Sequence, residues 1–377
     1  MTRLTSLRSA MAGALLAAVS LGSLSSAPAA AQAVPADLTV MPPVPTDYQP
    51  KRTAWGDPDL RGTWPIDNIA SLPMNRPAAM GDRFWLTDDE FAARQQQMER
   101  SAQAYDAEDK AGRIGMGHWV ESNSSGRRTS LVVSPSNGQL PAMTPQAEAL
   151  YRAGRSSWTP NTKFDWVTDF DAWDRCITRG FPASMLPFRY NNGIRVYQSP
   201  GYVVIALEML GTRVIPVGTN DKWPEPVEAY LGSSRGRWEG NTLVIETTNL
   251  KTGDSATRDA FARNGSPLNM ATMGVPPWNT IPTSEHAKVV ERITPVGADS
   301  IVYEMTYEDP EVFTGPFTAR LDWTRNDAYE FYEYACHEGN VQVRNYITAS
   351  RAGTLEEASA ADRAAGGGGE AGGGGSR

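Results

Sequence analysis

From residue 194 onward, apolar and polar positions alternate along the chain. The alternation is clearest at Ile301, Tyr303, Met305 and Tyr307, and again at Phe317, Ala319, Leu321 and Trp323. A period of two puts successive side chains on opposite faces, as a strand with one buried face requires. Breaks at Gly, Pro, Asn and Asp divide the pattern into expected strands over 194–198, 202–209, 213–217, 288–294, 300–308, 317–324 and 329–336. A hairpin over 232–248, turning at Glu239-Gly240-Asn241, adds two more. Connections this short predict a mainly β fold, an antiparallel meander closing into a barrel or folding into a sandwich, and argue against helix-crossed parallel strands.

Before residue 190 the pattern is different. Residues 34–80 are rich in proline and hold Trp55 and Trp64, which suits ordered loops docked on something. Thr87-Asp88-Asp89-Glu90 opens an N-capped polar helix that runs to about 112, and Thr144 opens a second over 145–155. Between them, 128–133 reads as a strand. The glycine- and proline-bearing stretch 254–282 reads as a long loop over one mouth of the β unit. The expected organisation is a signal peptide over 1–33, a loop-and-helix wrap with a few strands over 34–190, the antiparallel barrel over 191–348, and a disordered Ala/Gly-rich tail over 349–377.

Several phrases then form a recognisable set: Trp55 to Trp64 with its Pro58-Asp59-Leu60-Arg61-Gly62 core, Arg175-Cys176 with Gly180 and Pro182, Ser199-Pro200-Gly201, Arg235-Gly236-Arg237-Trp238-Glu239-Gly240, Glu291-Arg292, Asp309-Pro310, and Glu333-Tyr334-Ala335-Cys336. Together they resemble a broad family of exported bacterial proteins of mostly unassigned function, with a Pro-Asp-Leu-x-Gly-x-Trp start and a Gly-Arg-Trp-Glu-Gly-Asn-Thr-Leu-Val hairpin. The resemblance spans most of 50–345. It implies a lipocalin-like barrel with an N-terminal wrap, and it assigns no catalytic residue.

Compartment follows from the first residues. Arg3 and Arg8 precede a short apolar run over 10–21, and small residues allow cleavage after Ala31 or Ala33. This run is short for a membrane span, so a periplasmic or secreted protein is expected, a retained anchor being the other reading. Losing Arg3 and Arg8 with the leader takes the net charge from −8 to −10. An acidic chain without a basic stripe is a poor match for nucleic acid, and no stable membrane insertion is expected. Two cysteines, Cys176 and Cys336, suggest a disulfide in an oxidising compartment, with two buried thiols as the other reading. Such a bond would stabilise the fold by up to ~5 kcal/mol.

The chemistry on offer is sparse. Nucleotide-binding glycine loops and a hydrolase elbow are absent, and the three histidines, His118, His286 and His337, are too scattered for a metal site. No metal and no cofactor is expected. Acids lie within strands at Glu208, Glu246, Glu291 and Glu333. An inward carboxylate could act as a general acid or base, whereas an outward one would pair with an arginine such as Arg235, Arg292 or Arg320. Eleven tryptophans and many strand tyrosines suit either core packing or an aromatic-walled site. These features point to a binder of a hydrophobic or aromatic small molecule, with Arg235, Trp238, Glu208, Tyr303, Trp323 and Tyr334 as expected contacts. The alternative is a cofactor-free lyase, isomerase or hydratase using Glu246, Glu291 and His286. An envelope interaction protein is a third, and the sequence leaves ligand identity and oligomeric state open.

Overall fold

The computed structural model describes residues 34–70, 72–112, 126–157, 162–219, 223–224, 227–252, 266–268 and 280–353. The expected signal peptide with its cleavage points, most of the loop over 254–282, the tail from 354 onward and His118 lie outside the described residues. Along the chain come β1 (Gly62–Thr63), α1 (Asp88–Lys110), β2 (Val132–Ser134) and α2 (Pro145–Ala153). Then follow β3 (Ile194–Ser199), β4 (Tyr202–Leu207), β5 (Thr212–Pro216), β6 (Ser233–Glu239) and β7 (Thr242–Thr248). The last elements are β8 (Lys288–Gly297), β9 (Ser300–Glu308), β10 (Phe317–Thr324), α3 (Cys336–Gly339) and α4 (Gln342–Ala352).

The fold is mainly β, with two antiparallel sheets in the orders β1-β3-β4-β5 and β2-β10-β9-β8-β7-β6. Alternation produces the register. Tyr303 faces Leu321, Met305 faces Ala319 and Tyr307 faces Phe317, and all six are buried. Each large apolar side chain buried this way contributes roughly 1.5–3 kcal/mol before entropy is counted. The β6–β7 turn has a positive φ of 62° at Gly240, the first central position, as a two-residue hairpin of type II′ requires. Helix α1 carries a full capping box, Thr87 to the Glu90 amide and Glu90 back to the Thr87 amide.

Two expectations change. Among the described residues neither sheet closes into a barrel: residues 217–232 separate β5 from β6, too long for a tight hairpin, so β6 starts the second sheet. The sheets meet there at the Val217–Gly236 bridge and enclose one continuous core. That core also takes Leu60, Trp64, Ile66 and Phe181, so the wrap and the strands pack as one unit. The second change is 329–336, which is an extended strap followed by α3 instead of a strand. The free edge of β10 is occupied by β2, and the strap is drawn away to a disulfide between Cys336 and Cys176. Among the described residues no helix is long and apolar enough to cross a membrane.

Candidate functional site

Three buried arginines lie over phenylalanine rings, Arg76 over Phe84, Arg213 over Phe181 and Arg179 over Phe188, and the surroundings of the last two differ. Arg213 on β5 lies 4.3 Å above Phe181 and crosses between the sheets to Glu291 on β8. Its Nη1 donates to Glu291 Oε1 at 2.8 Å and its Nη2 to Oε2 at 2.5 Å. Nη2 also reaches Ser234 and Thr247, and the Tyr303 hydroxyl donates to Glu291 Oε1 at 2.8 Å. Burial, reinforced by Glu291, pushes the Tyr303 phenol well above its ordinary value. Trp323 stacks on Tyr303 at 4.8 Å, completing the packing. Glu291 is 0% exposed and its carboxylate is occupied on both oxygens, so this centre joins the sheets and has no room for a substrate.

Arg179 is the second centre. It lies 4.7 Å above Phe188 and its Nη1 donates to the Leu186 carbonyl at 3.1 Å. Desolvation lowers its pKa to about 10, against the opposing pull of the Tyr190 and Tyr334 phenols. Trp173, Phe188 and Met209 form a buried cluster separate from the main core, with Tyr190, Leu210 and Tyr334 packed against it. The rings follow one another at 5.4 Å (Trp173 to Phe188), 4.9 Å (Phe188 to Tyr190) and 6.5 Å (Tyr190 to Tyr334). Asn192 sets Phe188 in place, accepting from its amide and donating to its carbonyl, both at 2.7 Å.

Beside these rings runs a cleft whose walls include Arg179, Ser184, Asn191, Gly193, Glu208 and Met209. Its free volume is about 10 Å³, the space of one water molecule. Glu208 holds a strap, residues 329–335, beside it. The Glu208 carboxylate accepts from the Gly193 amide (2.9 Å), Asn191 Nδ2 (3.2 Å), the Tyr329 hydroxyl (2.8 Å) and the Tyr332 amide (3.1 Å). Gly193 is required here by closeness: a Cβ would come within 2.7 Å of Glu208 Oε2, 2.8 Å of Tyr329 and 2.9 Å of Phe331. The far end of the strap is held by the disulfide, with the Cys336 amide donating to the Tyr334 carbonyl. Among the described residues, three of the four non-glycine positions with positive φ border this region: Cys176 (60°), Asn191 (54°) and Leu210 (49°). For a leucine that conformation is costly, and such strain gathers where surrounding structure over-determines the backbone.

The expected site residues are therefore dispersed. Glu208, Tyr334, Cys176 and Cys336 come together around the aromatic cleft. Tyr303, Trp323 and Glu291 meet inside the core. Trp238 packs half-buried against that core from β6, and Arg235 on the same strand stands opposite Glu246. The expected acid–base set is not assembled. Ile245 pairs with Glu291 and Glu246 with Val290, so strand alternation sends the two carboxylates to opposite faces. Glu246 takes Lys288 at 2.8 Å, and His286 is exposed and bonded to Glu311. Larger surface clefts exist, one of about 360 Å³ lined by Leu150, Glu228, Ser284, Glu285 and Glu311 among others. Its walls carry three acids, Glu228, Glu285 and Glu311, and it lies apart from the Trp173–Phe188–Met209 cluster. Sequence reasoning missed Arg179, Phe188, Tyr190 and Asn192; the available signal was the ring-rich run Phe188-Arg189-Tyr190 directly before the Asn191-Asn192-Gly193 turn. Among the described residues no group of three or more His, Cys, Asp or Glu is placed to hold a metal ion.

In comparisons with protein-family models, with curated proteins and with solved structures, the chain matches none.

Proposed function

We propose that this is a periplasmic or secreted binding protein for a small aromatic or apolar molecule, received among Trp173, Phe188, Tyr190, Met209 and Tyr334 beneath the 329–335 strap. The observation that carries the reading is the separateness of this cluster: an aromatic group outside the main core, bordered by a cleft with a few polar anchors, is the composition of a small-molecule site. The strap is the natural entrance. It is extended, Tyr332 is 61% exposed, and it is held by Glu208, by Phe331 against Arg195, by Tyr334 on the ring cluster and by the disulfide. Segments with so few backbone bonds open at low cost. A lipocalin-like likeness enters this reading in modified form. The two sheets meet at one corner as a flattened barrel would, but the space between them is filled by side chains such as Trp323, Tyr303 and Tyr307, so the ligand is placed at the margin of the β unit. The acid–base alternative has no comparable support, because Glu246, Glu291 and His286 stand in separate environments.

Photolabelling with benzophenone, a neutral two-ring probe, tests the reading. Saturable labelling of peptides holding Trp173, Met209 or Tyr334 is expected, and Gly193→Ala, which crowds Tyr329 and Phe331, should speed it several-fold. Non-saturating labelling spread over the surface would sink the proposal.

A further inference from the structure

The phrase Pro58-Asp59-Leu60-Arg61-Gly62-Thr63-Trp64 takes no part in the strap cleft. It forms one wall of a different cleft, between the N-terminal wrap and the β8–β9 turn, with a volume of about 330 Å³. That is the size of a small-molecule site. Buried Leu60, Trp64 and Ile301 supply an apolar floor, with Pro50, Pro295 and the half-buried Tyr48 beside them. Arg325 is set into this wall. Its guanidinium lies 5.9 Å above the Trp64 ring, and its Nε donates to Asp327 Oδ2 at 2.7 Å. Asp327 is fixed in turn, its Oδ1 accepting from the Thr63 amide at 3.0 Å. Gly62 leaves room for both: at its φ of 148° a Cβ would come within 3.1 Å of Arg325 Nε and of Asp327 Oδ1. With Nε held, the two Nη groups of Arg325 have no partner among the described residues.

Two further charges line the same cleft, Lys51 and Asp299. Both side chains are exposed, and among the described residues neither the ammonium nor the carboxylate has a hydrogen-bond or ion-pair partner. They are opposite in sign and too far apart to pair with each other. The remaining acid on this wall, Asp59, is spent on Arg61 at 2.7 and 2.8 Å. A simple anion would gain from Lys51 and Arg325 and be repelled by Asp299; a simple cation would meet the reverse. A zwitterion satisfies all three, and with no net charge it is not turned away at long range by a chain of charge −8.

We propose that this cleft is a second binding site, taking an α-amino acid with a large apolar side chain as its zwitterion. The carboxylate bridges Arg325 and Lys51, whose donors are open and charged. The ammonium meets Asp299, and the side chain lies against Tyr48, Trp64 and the two prolines. No wall residue is shared with the strap cleft, so the two sites stand or fall separately.

Equilibrium dialysis of radiolabelled L-phenylalanine against the full chain tests the site, with N-acetylphenylalanine and phenylalaninamide as competitors. The first competitor lacks the ammonium and the second lacks the carboxylate. Each is expected to half-displace phenylalanine at a concentration roughly tenfold or more above phenylalanine itself, the worth of one charge-assisted bond. Lys51→Met should weaken phenylalanine several-fold and leave phenylalaninamide unchanged. Asp299→Asn should weaken phenylalanine by a similar factor and leave N-acetylphenylalanine unchanged. Both variants alter exposed side chains without partners, so the fold is not at stake. Equal displacement by all three compounds, or unchanged phenylalanine binding in both variants, would overturn the inference. So would the absence of saturable phenylalanine binding to the unmodified protein, and neither result would touch the reading of the strap cleft.

Discussion

Arg213 and Arg179 each lie over a phenylalanine, at 4.3 and 4.7 Å, and each is almost fully buried. What separates them is the neighbourhood. Arg213 meets a carboxylate on both oxygens, two hydroxyls and, through Glu291, a phenol, and it ties β5 to β8. Arg179 stands against phenols and amides beside a cleft, and desolvation holds its pKa down at about 10. The first joins the two sheets through a buried ion pair; the second stacks in the same way at the wall of a cleft.

The largest effect that would break this comparison comes from Glu291→Gln. It leaves a buried guanidinium uncompensated and should cost about 3–5 kcal/mol in urea unfolding. Arg179→Met, at the other centre, should cost less than Glu291→Gln, because it removes a buried charge instead of stranding one. Comparable losses at the two positions would erase the distinction between them.

A smaller effect is expected at the strap. Glu208→Gln turns into an amide one oxygen of a carboxylate that accepts from two donors on each oxygen, and should destabilise by about 1.5–3 kcal/mol. Hydrogen exchange should quicken at the Tyr332 amide and remain unchanged in β8 and β9. If Tyr332 keeps its protection, Glu208 is not the latch. The smallest effect belongs to Glu246→Gln, which disturbs a half-exposed pair with Lys288 and should shift stability by under about 1 kcal/mol, with labelling of the cleft unchanged. A loss of ligand labelling in this variant would return Glu246 to the functional site.

The fold was more legible than the site. Strands β3 to β10 were readable from alternation, because each rests on a buried face that recurs every second residue. Helices α1 and α2 were readable from Thr87 and Thr144, because capping is local chemistry. Residues 329–336 are the exception among the alternating segments. Tyr329, Phe331 and Glu333 carry an alternating pattern, yet β2 already pairs with β10, and Glu208 and Cys176 claim the segment. Glu246 and Glu291 could be separated only once the β7–β8 register was known. Trp323 and Tyr303 looked like ligand walls and are core, since aromatic strand residues look alike whether they face a cavity or a neighbouring ring.

The chain alone thus determined its mainly β class, its two capped helices, the hairpin at Gly240 and the cysteine pair available for bonding. Each depends on residues close in sequence or on simple counting. Only the tertiary structure decided that the strands divide into two sheets and that Glu291 is spent on Arg213. It also decided that Cys176, Arg179, Phe188, Glu208 and Tyr334 share one corner. The disulfide beside them joins Cys176 to Cys336, 160 positions further along the chain. No local periodicity encodes which distant side chains will meet, because that depends on how whole elements pack.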